Sequence, residues 1–440
     1  MKRIFVVVLS VCFIILVLYN CKDEPPTPPD IIPGVKLFVV DVDLTEVTLK
    51  VETKNINLPS LLRIFRDDTT VKETNIDSSI TVVTVDSLQP NKTYNFQAVI
   101  YDSDKEVFSN VLSVSTLDTT SQNFTFEFLE FGDGFESSYF NDVWVFDENN
   151  IWAVGYISPA DTIVNGNQII NPNIIKWDGT KWELEPFNGT SSGIDGIWAV
   201  NTSKIYFANG IVLKYENGNY RYEDFSNVPL PNGQRVEKLW GSSENNIYGV
   251  GPWGTIVWYN GVQWTKIEFD TQWSFFGITG NKETGVGYAV AISPSSQYDA
   301  IVVKLENLVT SIIYQKSLSK IKILSRTITG YNNDLYIAGS DVQSTKICKL
   351  SRTGEIEILH HLSPFIGIKQ SFALNKNDLF FAGDEGFEAR LIHYNGVRYS
   401  IFNIPQVEPN IYGGIHAIKD LAVSVGFTNN KAYIIKIRRQ

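Results

Sequence analysis

Cysteine is scarce in this sequence, and its positions exclude a disulfide bond from the body of the chain. Of three cysteines, Cys12 lies in an apolar N-terminal run, Cys21 directly follows that run, and only Cys348 remains beyond it. One cysteine cannot form an internal disulfide, so the domains must be held by their cores. A chain of 440 residues that is 43% hydrophobic is long and apolar enough to build them.

Histidine is scarce as well, and no catalytic or metal-binding motif is present. The four histidines, His360, His361, His393 and His416, show no metal-ligand spacing and no grouping with carboxylates. G-x-S-x-G, a Gly-rich phosphate loop and a Cys/His pair are all missing. The sequence therefore predicts no metal and no cofactor. Basic residues are also in deficit, and the formal net charge of −11 disfavours nucleic acid and anionic lipid as ligands.

The sequence predicts a leader at the N-terminus. Residues 1–20 begin with Lys2 and Arg3 and continue as an apolar run that matches a secretory signal in length and is short for a membrane span. Leu18-Tyr19-Asn20-Cys21 resembles the lipobox of bacterial lipoproteins. This resemblance implies that the leader is cleaved before Cys21, which becomes the first residue of the mature protein and is acylated. Lys22-Asp23-Glu24 resembles the export signal of surface lipoproteins in Bacteroidetes-type bacteria. The resemblance implies an outer-membrane lipoprotein exposed at the cell surface. The alternatives are a plain cleaved signal and an uncleaved anchor.

Residues 21–33 form a tether, because five prolines in this span block helix and sheet and favour extended polyproline II. Residues 34–120 then contain about seven short segments with alternating polarity and no helical period, which predicts a β-sandwich. Leu88-Gln89-Pro90-Asn91-Lys92-Thr93-Tyr94 is similar to the L-x-P-x-T-x-Y region of fibronectin type III domains. In that family Tyr94 would be the corner tyrosine, and Leu49 or Val51 would replace the usual strand-B tryptophan. We expect this domain to be a spacer.

Residues 121–440 contain a repeat. Hairpins rich in β-branched and aromatic residues recur at intervals of about 40 to 54 residues, which is typical of β-propeller blades. The seven copies are 143–155, 197–210, 239–251, 276–291, 327–339, 372–383 and 415–426. The last copy has no fourth strand, whereas residues 123–131 resemble the fourth strands of other copies. The sequence therefore predicts a seven-bladed propeller closed by an N-terminal outer strand.

The repeat resembles a bacterial propeller pattern, W-G-x-S/T-x-x-D-V-x-A-V-G-x-x-G-x-I-x-H-Y-D-G-x-x-W, most closely in the third copy. Trp144, Trp198 and Trp240 recur at one position of the innermost strand, so we predict that they pack between blades. Asp178-Gly179, Asn217-Gly218, Asn260-Gly261 and Asn395-Gly396 are typical of hairpin turns.

Loop lengths separate the two faces of this predicted domain. Connections from strand two to strand three, and from blade to blade, are long and share one face, where binding usually concentrates. We call it the long-loop face. It carries six aromatic candidates for ligand contact, which could also pin their own loops: Tyr156, Trp253, Trp273, Tyr298, Phe365 and Tyr412. Aromatic side chains on an acidic concave face suit a glycan or a peptide.

Catalysis would need paired carboxylates near the channel mouth. Asp142, Asp195 and Glu237 lie just before predicted innermost strands on the long-loop face and are the candidates. The sialidase-type S-x-D-x-G-x-x-W box is missing. Three hypotheses follow: a monomeric, lipid-anchored binding protein for a glycan or protein ligand; a propeller enzyme, hydrolase or lyase, acting on polysaccharide; and a structural envelope protein.

Overall fold

The structure is a computed structural model. It describes residues 33–102, 105–132, 137–158, 172–187, 193–231, 233–294, 299–341, 344–362, 366–386, 388–404 and 411–440. The predicted leader, Cys21 and most of the tether lie outside the described residues. All regular structure in the described part is β-strand, and it divides into two compact units.

The first unit comprises Glu46–Ser87 and Thr93–Ser115 with the described part of Met1–Val42. It has eight antiparallel strands: β1 Gly34–Val42, β2 Val47–Lys54, β3 Ser60–Arg66, β4 Thr69–Ile76, β5 Ile80–Val85, β6 Thr93–Asp102, β7 Lys105–Phe108 and β8 Leu112–Ser115. One sheet has the order β1-β2-β5, and the other β4-β3-β6-β7 with β8 also on β6. Leu49 and Val51 are fully buried, and Tyr94 on β6 is buried as well.

The second unit comprises Asp43–Thr45, Leu88–Lys92 and Thr116–Gln440. Its described residues form seven four-stranded antiparallel sheets. Sheets 1 to 3 are β10 Tyr139–Asp147, β11 Asn150–Tyr156, β12 Ile174–Trp177, β13 Trp182–Glu185; β14 Gly196–Asn201, β15 Lys204–Asn209, β16 Ile211–Glu216, β17 Asn219–Tyr222; and β18 Lys238–Ser243, β19 Asn246–Val250, β20 Ile256–Tyr259, β21 Trp264–Lys266.

The remaining four sheets repeat this arrangement with longer strands. Sheets 4 to 7 are β22 Ser274–Gly280, β23 Gly287–Ile292, β24 Ala300–Glu306, β25 Val309–Gln315; β26 Leu324–Tyr331, β27 Asp334–Ser340, β28 Thr345–Leu350, β29 Ile356–Leu362; β30 Gly367–Asn375, β31 Asp378–Glu385, β32 Glu388–Tyr394, β33 Tyr399–Asn403; and β34 Ile411–Ile418, β35 Leu421–Thr428, β36 Lys431–Arg439 with β9 Phe124–Phe131.

Short turns join the strands, and Asn and Asp side chains in these turns accept hydrogen bonds from backbone N–H groups. Asn260 Oδ1 accepts the N–H groups of Val262 and Gln263, each at 2.9 Å, and Gly261 takes a φ of +90°. Asp178 and Asn395 accept in the same way from the residues two and three positions on. Asn and Asp favour such turns since their side chains bond the backbone locally.

Hydrophobic clusters join each sheet to the next. Trp152 and Phe207 lie in the cluster between sheets 1 and 2, and clusters of the same kind join the later pairs. A further cluster joins sheet 7 to sheet 1, with Val425 and Ile434 against Val143. Trp198 lies in the cluster between sheets 2 and 3 and Trp240 in that between sheets 3 and 4, so their predicted packing between sheets is confirmed. Trp144 packs, partly buried, against the clusters between sheets 1 and 2 and between sheets 2 and 3.

Sheet 7 takes its outer strand from far upstream. β9 pairs with β36 over eight residues, from Arg439↔Phe124 to Ala432↔Phe131. The N–H of Gln440 also donates to the carbonyl of Asn123 at 2.9 Å. The sequence predicts this position for residues 123–131, because their pattern resembles the fourth strands and the last copy lacks one.

Candidate functional site

A channel lies among the innermost strands β10, β14, β18, β22, β26, β30 and β34, which all line it. Its volume is about 490 Å³, within the range of small-molecule sites. Each innermost strand begins after a sheet-to-sheet connection, so the starts of these strands lie together at one end. We call this end the mouth. Asp142, Lys238 and Gln370 line the channel there, and Lys282 and Asn332 line its opposite end.

β-Bulges mark the mouth. The pairing register shifts at Asn141, Phe276, Arg326, Lys369 and the pair Gly413-Gly414, near the start of five innermost strands. Other shifts in these strands adjoin the tight turns at the opposite end. A bulge re-aims a side chain and lets the strand continue. Two strands continue through such bulges into segments that the sequence predicts to be long loops. Lys369 lies within β30, and Tyr412 lies within β34.

The mouth brings the three predicted carboxylates together. Lys238 Nζ lies 3.3 Å from Asp142 Oδ2 and 3.3 Å from the backbone carbonyl of Asp195. Asn141 donates from Nδ2 to Asp195 Oδ1 at 3.5 Å, and Arg235 Nε donates to Glu237 Oε1 at 2.7 Å. Asp195 and Glu237 do directly precede β14 and β18. The expectation for Asp142 was wrong, because the bulge at Asn141 places it inside β10.

Asp195 is a carboxyl whose pKa is raised by its surroundings. Burial, and then the negative charge of Glu237, raise the pKa of Asp195 to about 6, while Lys238 and Arg235 oppose the shift. Burial and the Asp195 charge also raise the pKa of the Tyr139 hydroxyl. A carboxyl of this kind can donate a proton near neutral pH, beside an ion-paired Asp142.

Asp195→Asn should stabilise the protein in a pH-dependent way. Well above pH 6 the carboxyl is ionised in both folded and unfolded chains, and folding must desolvate the charge; at pH 4 it is protonated in the folded chain and about half protonated in the unfolded chain. The variant should therefore raise the free energy of unfolding by about 2–3 kcal/mol at pH 8 and by only about 0.5 kcal/mol at pH 4. Urea denaturation at both pH values measures this difference.

The matched control is Glu268→Gln, whose carboxylate side chain is 81% exposed. It should give the same small change at both pH values, because an exposed carboxyl is hydrated in either state. Equal effects of Asp195→Asn at pH 4 and pH 8, or a loss of stability at pH 8, would contradict the assignment.

The aromatic candidates have different environments. Tyr156 is the last residue of β11 and stacks on Tyr139, with ring centroids 5.9 Å apart. Trp253 is 47% exposed with a φ of +56°, whereas Trp273 packs against the cluster between sheets 3 and 4. Tyr298 and Phe365 lie outside the described residues. Tyr412 lies in β34, not in a loop, and its side chain is also outside the described part.

Two histidines have partners that sequence reasoning missed. His393 Nε2 lies 2.7 Å from Asp378 Oδ1, because pairing of β31 with β32 joins residues that are 15 apart. The expectation that no histidine groups with a carboxylate was therefore wrong. His416 Nδ1 accepts the N–H of Val145 at 3.3 Å, linking sheet 7 to sheet 1. Burial and the charge of Lys282 lower its pKa to about 3, so His416 is neutral.

Lys238 and Asn141 were also missed, although the repeat contains a signal for Lys238. Lys238 and Asp142 each stand two residues before an aligned tryptophan, so opposite charges at one repeat position could have been noticed. Among the described residues, no group of three or more His, Cys, Asp and Glu side chains is arranged to hold a metal. The described part likewise has no helix that is long and apolar enough to cross a bilayer.

Comparison with solved structures identifies the fold. Virginiamycin B lyase from Staphylococcus aureus, a β-propeller, matches with a TM-score of 0.54 at 11% identity, covering 72% of this chain and 100% of that one. This chain contains a β-propeller. The propeller domain of Cps50 (Swd1) from Myceliophteria thermophila matches at a TM-score of 0.48 and 10% identity, over 68% of this chain and 96% of that one. No protein-family model and no curated protein matches the chain.

Proposed function

We propose that this chain is a cell-envelope lipoprotein whose propeller binds a glycan at the channel mouth. The observation that carries the proposal is the polar cluster there: Asp142 and Lys238 form a partly buried ion pair, and Asp195, Asn141 and Glu237 surround it. Burying charges costs free energy, and stability alone does not require such a pair. A pocket with a few convergent polar groups is the usual form of a ligand site.

The propeller is proposed to have seven blades and to close into a ring. Seven four-stranded sheets, the cluster joining sheet 7 to sheet 1, and the pairing of β9 with β36 support this count. Residues 34–120 are proposed to be a fibronectin type III-like spacer, supported by two antiparallel sheets and the buried Tyr94. Residues 21–33 would tether both domains to the outer membrane at the cell surface.

A glycan array probed with the soluble chain 22–440 tests the proposed function. We expect specific glycan signals that fall at least tenfold in the double variant Asp142→Asn/Lys238→Met. The matched control is Lys204→Met/Glu244→Gln, which removes an ion pair between neighbouring sheets at the turn end of the strands. No glycan signal, with capture of a specific protein from the same envelope, would replace the glycan by a protein ligand.

The lipid anchor is tested separately by palmitate labelling of the whole chain in its host. Wild-type protein should take up label and Cys21→Ser should not, because only the thiol after the leader is acylated in the family it resembles. Cys348 is the internal control, since it is fully buried. An unlabelled wild-type protein would contradict the anchor.

A second candidate function is cleavage of a polysaccharide, by hydrolysis or by a lyase reaction. The raised pKa of Asp195 beside two further carboxylates favours it. In that case Asp195 would act as proton donor. The Asp195→Asn variant would then keep glycan binding and lose product formation. Activity that is unchanged in this variant would remove Asp195 from the reaction, and a wild type that releases no product would leave binding as the function.

A further inference from the structure

One level of the channel wall is built from equivalent residues of all seven sheets. On each innermost strand, one side chain stands opposite the third residue of the second strand, or the second residue in the case of β23. These residues are Trp144, Trp198, Trp240, Thr279, Thr329, Phe372 and His416, and all line the channel. Five consecutive sheets, 6, 7, 1, 2 and 3, thus supply a ring, whereas the adjacent sheets 4 and 5 supply threonine.

The rings have an ordered packing. His416 lies between Trp144 and Phe372, with both ring centroids 4.3 Å from its own. These three side chains are only partly buried, so they present a continuous aromatic wall to the channel. Trp198 and Trp240 are only 4% and 8% exposed, and Trp240 covers Gly280, where an added Cβ would lie 2.3 Å from its ring. Trp144, Phe372 and His416 are therefore the rings that a ligand can reach.

The threonines leave space and supply hydroxyl groups. Thr279 and Thr329 line the channel with side chains smaller than the rings at the equivalent positions, and they are 8% and 5% exposed. Thr329 Oγ1 accepts the N–H of Ala373 at 2.7 Å, which leaves its own proton for a ligand. Thr327 and Ser371 share a hydrogen bond of 2.5 Å beside it. We call three of these residues, Thr279, Thr329 and Ser371, the hydroxyl wall, because Thr327 is 2% exposed and its hydroxyl is bonded to Ser371.

One wall is apolar and the other is polar, and a sugar ring likewise has an apolar C–H face and polar hydroxyl groups. The aromatic wall offers an apolar surface to the C–H face of a pyranose, and the hydroxyl wall offers donors and acceptors to its hydroxyl groups. Sheets 4 and 5 come three and four places after sheet 1, so the walls face each other across the channel. A narrow channel admits a chain end more readily than the middle of a polymer.

We propose that the terminal sugar of a glycan enters the channel through the mouth and lies between the aromatic wall and the hydroxyl wall. This inference rests on the proposed glycan-binding function and specifies its mode. Neutral and acidic sugars share the pyranose ring. Lys238 and Lys282 outnumber Asp142 among the charged residues that line the channel, so the test includes hexuronates beside neutral hexoses.

Calorimetric titration of the soluble chain 22–440 with methyl glycosides of hexoses and hexuronates tests the mode. Both Gln370 and Leu374 lie on β30 and line the channel, the former near the mouth and the latter at the opposite end. Gln370→Trp should weaken binding at least thirtyfold by blocking entry, and Leu374→Trp should change it less than threefold. Wild-type affinity should be nearly the same for a monosaccharide glycoside and a long oligosaccharide with the same end.

The hydroxyl wall is tested without changing side-chain volume. Thr279→Val should weaken binding about tenfold, and Thr279→Ser should restore most of it, because a site built to bond a hydroxyl discriminates against its loss. Unchanged thermal unfolding of both variants would show an intact fold. If long glycans bind but Gln370→Trp and Thr279→Val have no effect, the end-on mode is wrong and surface binding at the mouth stands. If no glycan binds wild type, the proposed function fails as well.

Discussion

Removal of β9 should abolish cooperative folding of the propeller. Deleting Phe124–Phe131 from the soluble chain 22–440 leaves all eight paired positions of β36 as an exposed edge and uncovers Tyr433 and Ile435. Phe128 and Phe131 also leave the clusters on either side of sheet 7. An unpaired apolar edge invites aggregation. We expect the melting temperature to fall by more than about 10 °C, or the transition to disappear.

A rescue variant of the deletion carries the sequence of β9 at the C-terminus instead. Arg439 pairs with Phe124, so a copy of Phe124–Phe131 joined after Gln440 through an Asn-Gly turn can form the same hairpin. This rescue variant should regain most of the lost melting temperature. Scanning calorimetry compares the three chains. A deletion variant as stable as the parent, or a rescue variant as unstable as the deletion, would contradict closure by β9.

The second large effect is expected for Trp240→Ala. Trp240 is 8% exposed, stacks on Tyr248 with centroids 6.3 Å apart, and covers Gly280 in the next sheet. Its truncation leaves a cavity between sheets 3 and 4, where no neighbouring side chain can refill the volume of an indole. Large-to-alanine changes of aromatic core residues cost about 3–5 kcal/mol. Urea denaturation should show a loss of this size in the free energy of unfolding.

Trp253→Ala is the matched control, since the same residue type is removed from the connection between β19 and β20 of the same sheet. Trp253 is 47% exposed, so its loss should change the free energy of unfolding by less than about 1 kcal/mol. Equal losses for the two variants would mean that the clusters between sheets do not carry the stability of this unit.

The sequence predicted the strands well because their periodicity comes from burial. Third and outer strands are joined by turns such as Asn260-Gly261, and the apolar residues of the innermost and second strands recur where the clusters lie. The outer strand β9 could be found because it resembles β17 and β21 in pattern. Its partner is more than 300 residues away, and only the repeat makes that pairing visible.

The site was less visible because it depends on residues that break the repeat. Asp142 and Lys238 occupy equivalent positions of two copies and carry opposite charges. Only the assembled sheets show that they form an ion pair. His416 stands where three of the other copies have tryptophan, and its immediate sequence neighbours include no carboxylate that would mark it as part of a site. Bulges at Asn141 and Lys369 shift side chains by one residue, and a strict alternation of polar and apolar residues cannot predict them.

Hydrogen exchange of the soluble chain 22–440, with and without a glycan that it binds, tests the location of the site most directly. We expect added protection at the mouth, in segments 139–145, 236–240 and 368–372. The outer groove formed by Arg221, Tyr222 and Gln263 should show no change. Protection confined to that groove, or to the strands of the first unit, would contradict a ligand site at the channel mouth.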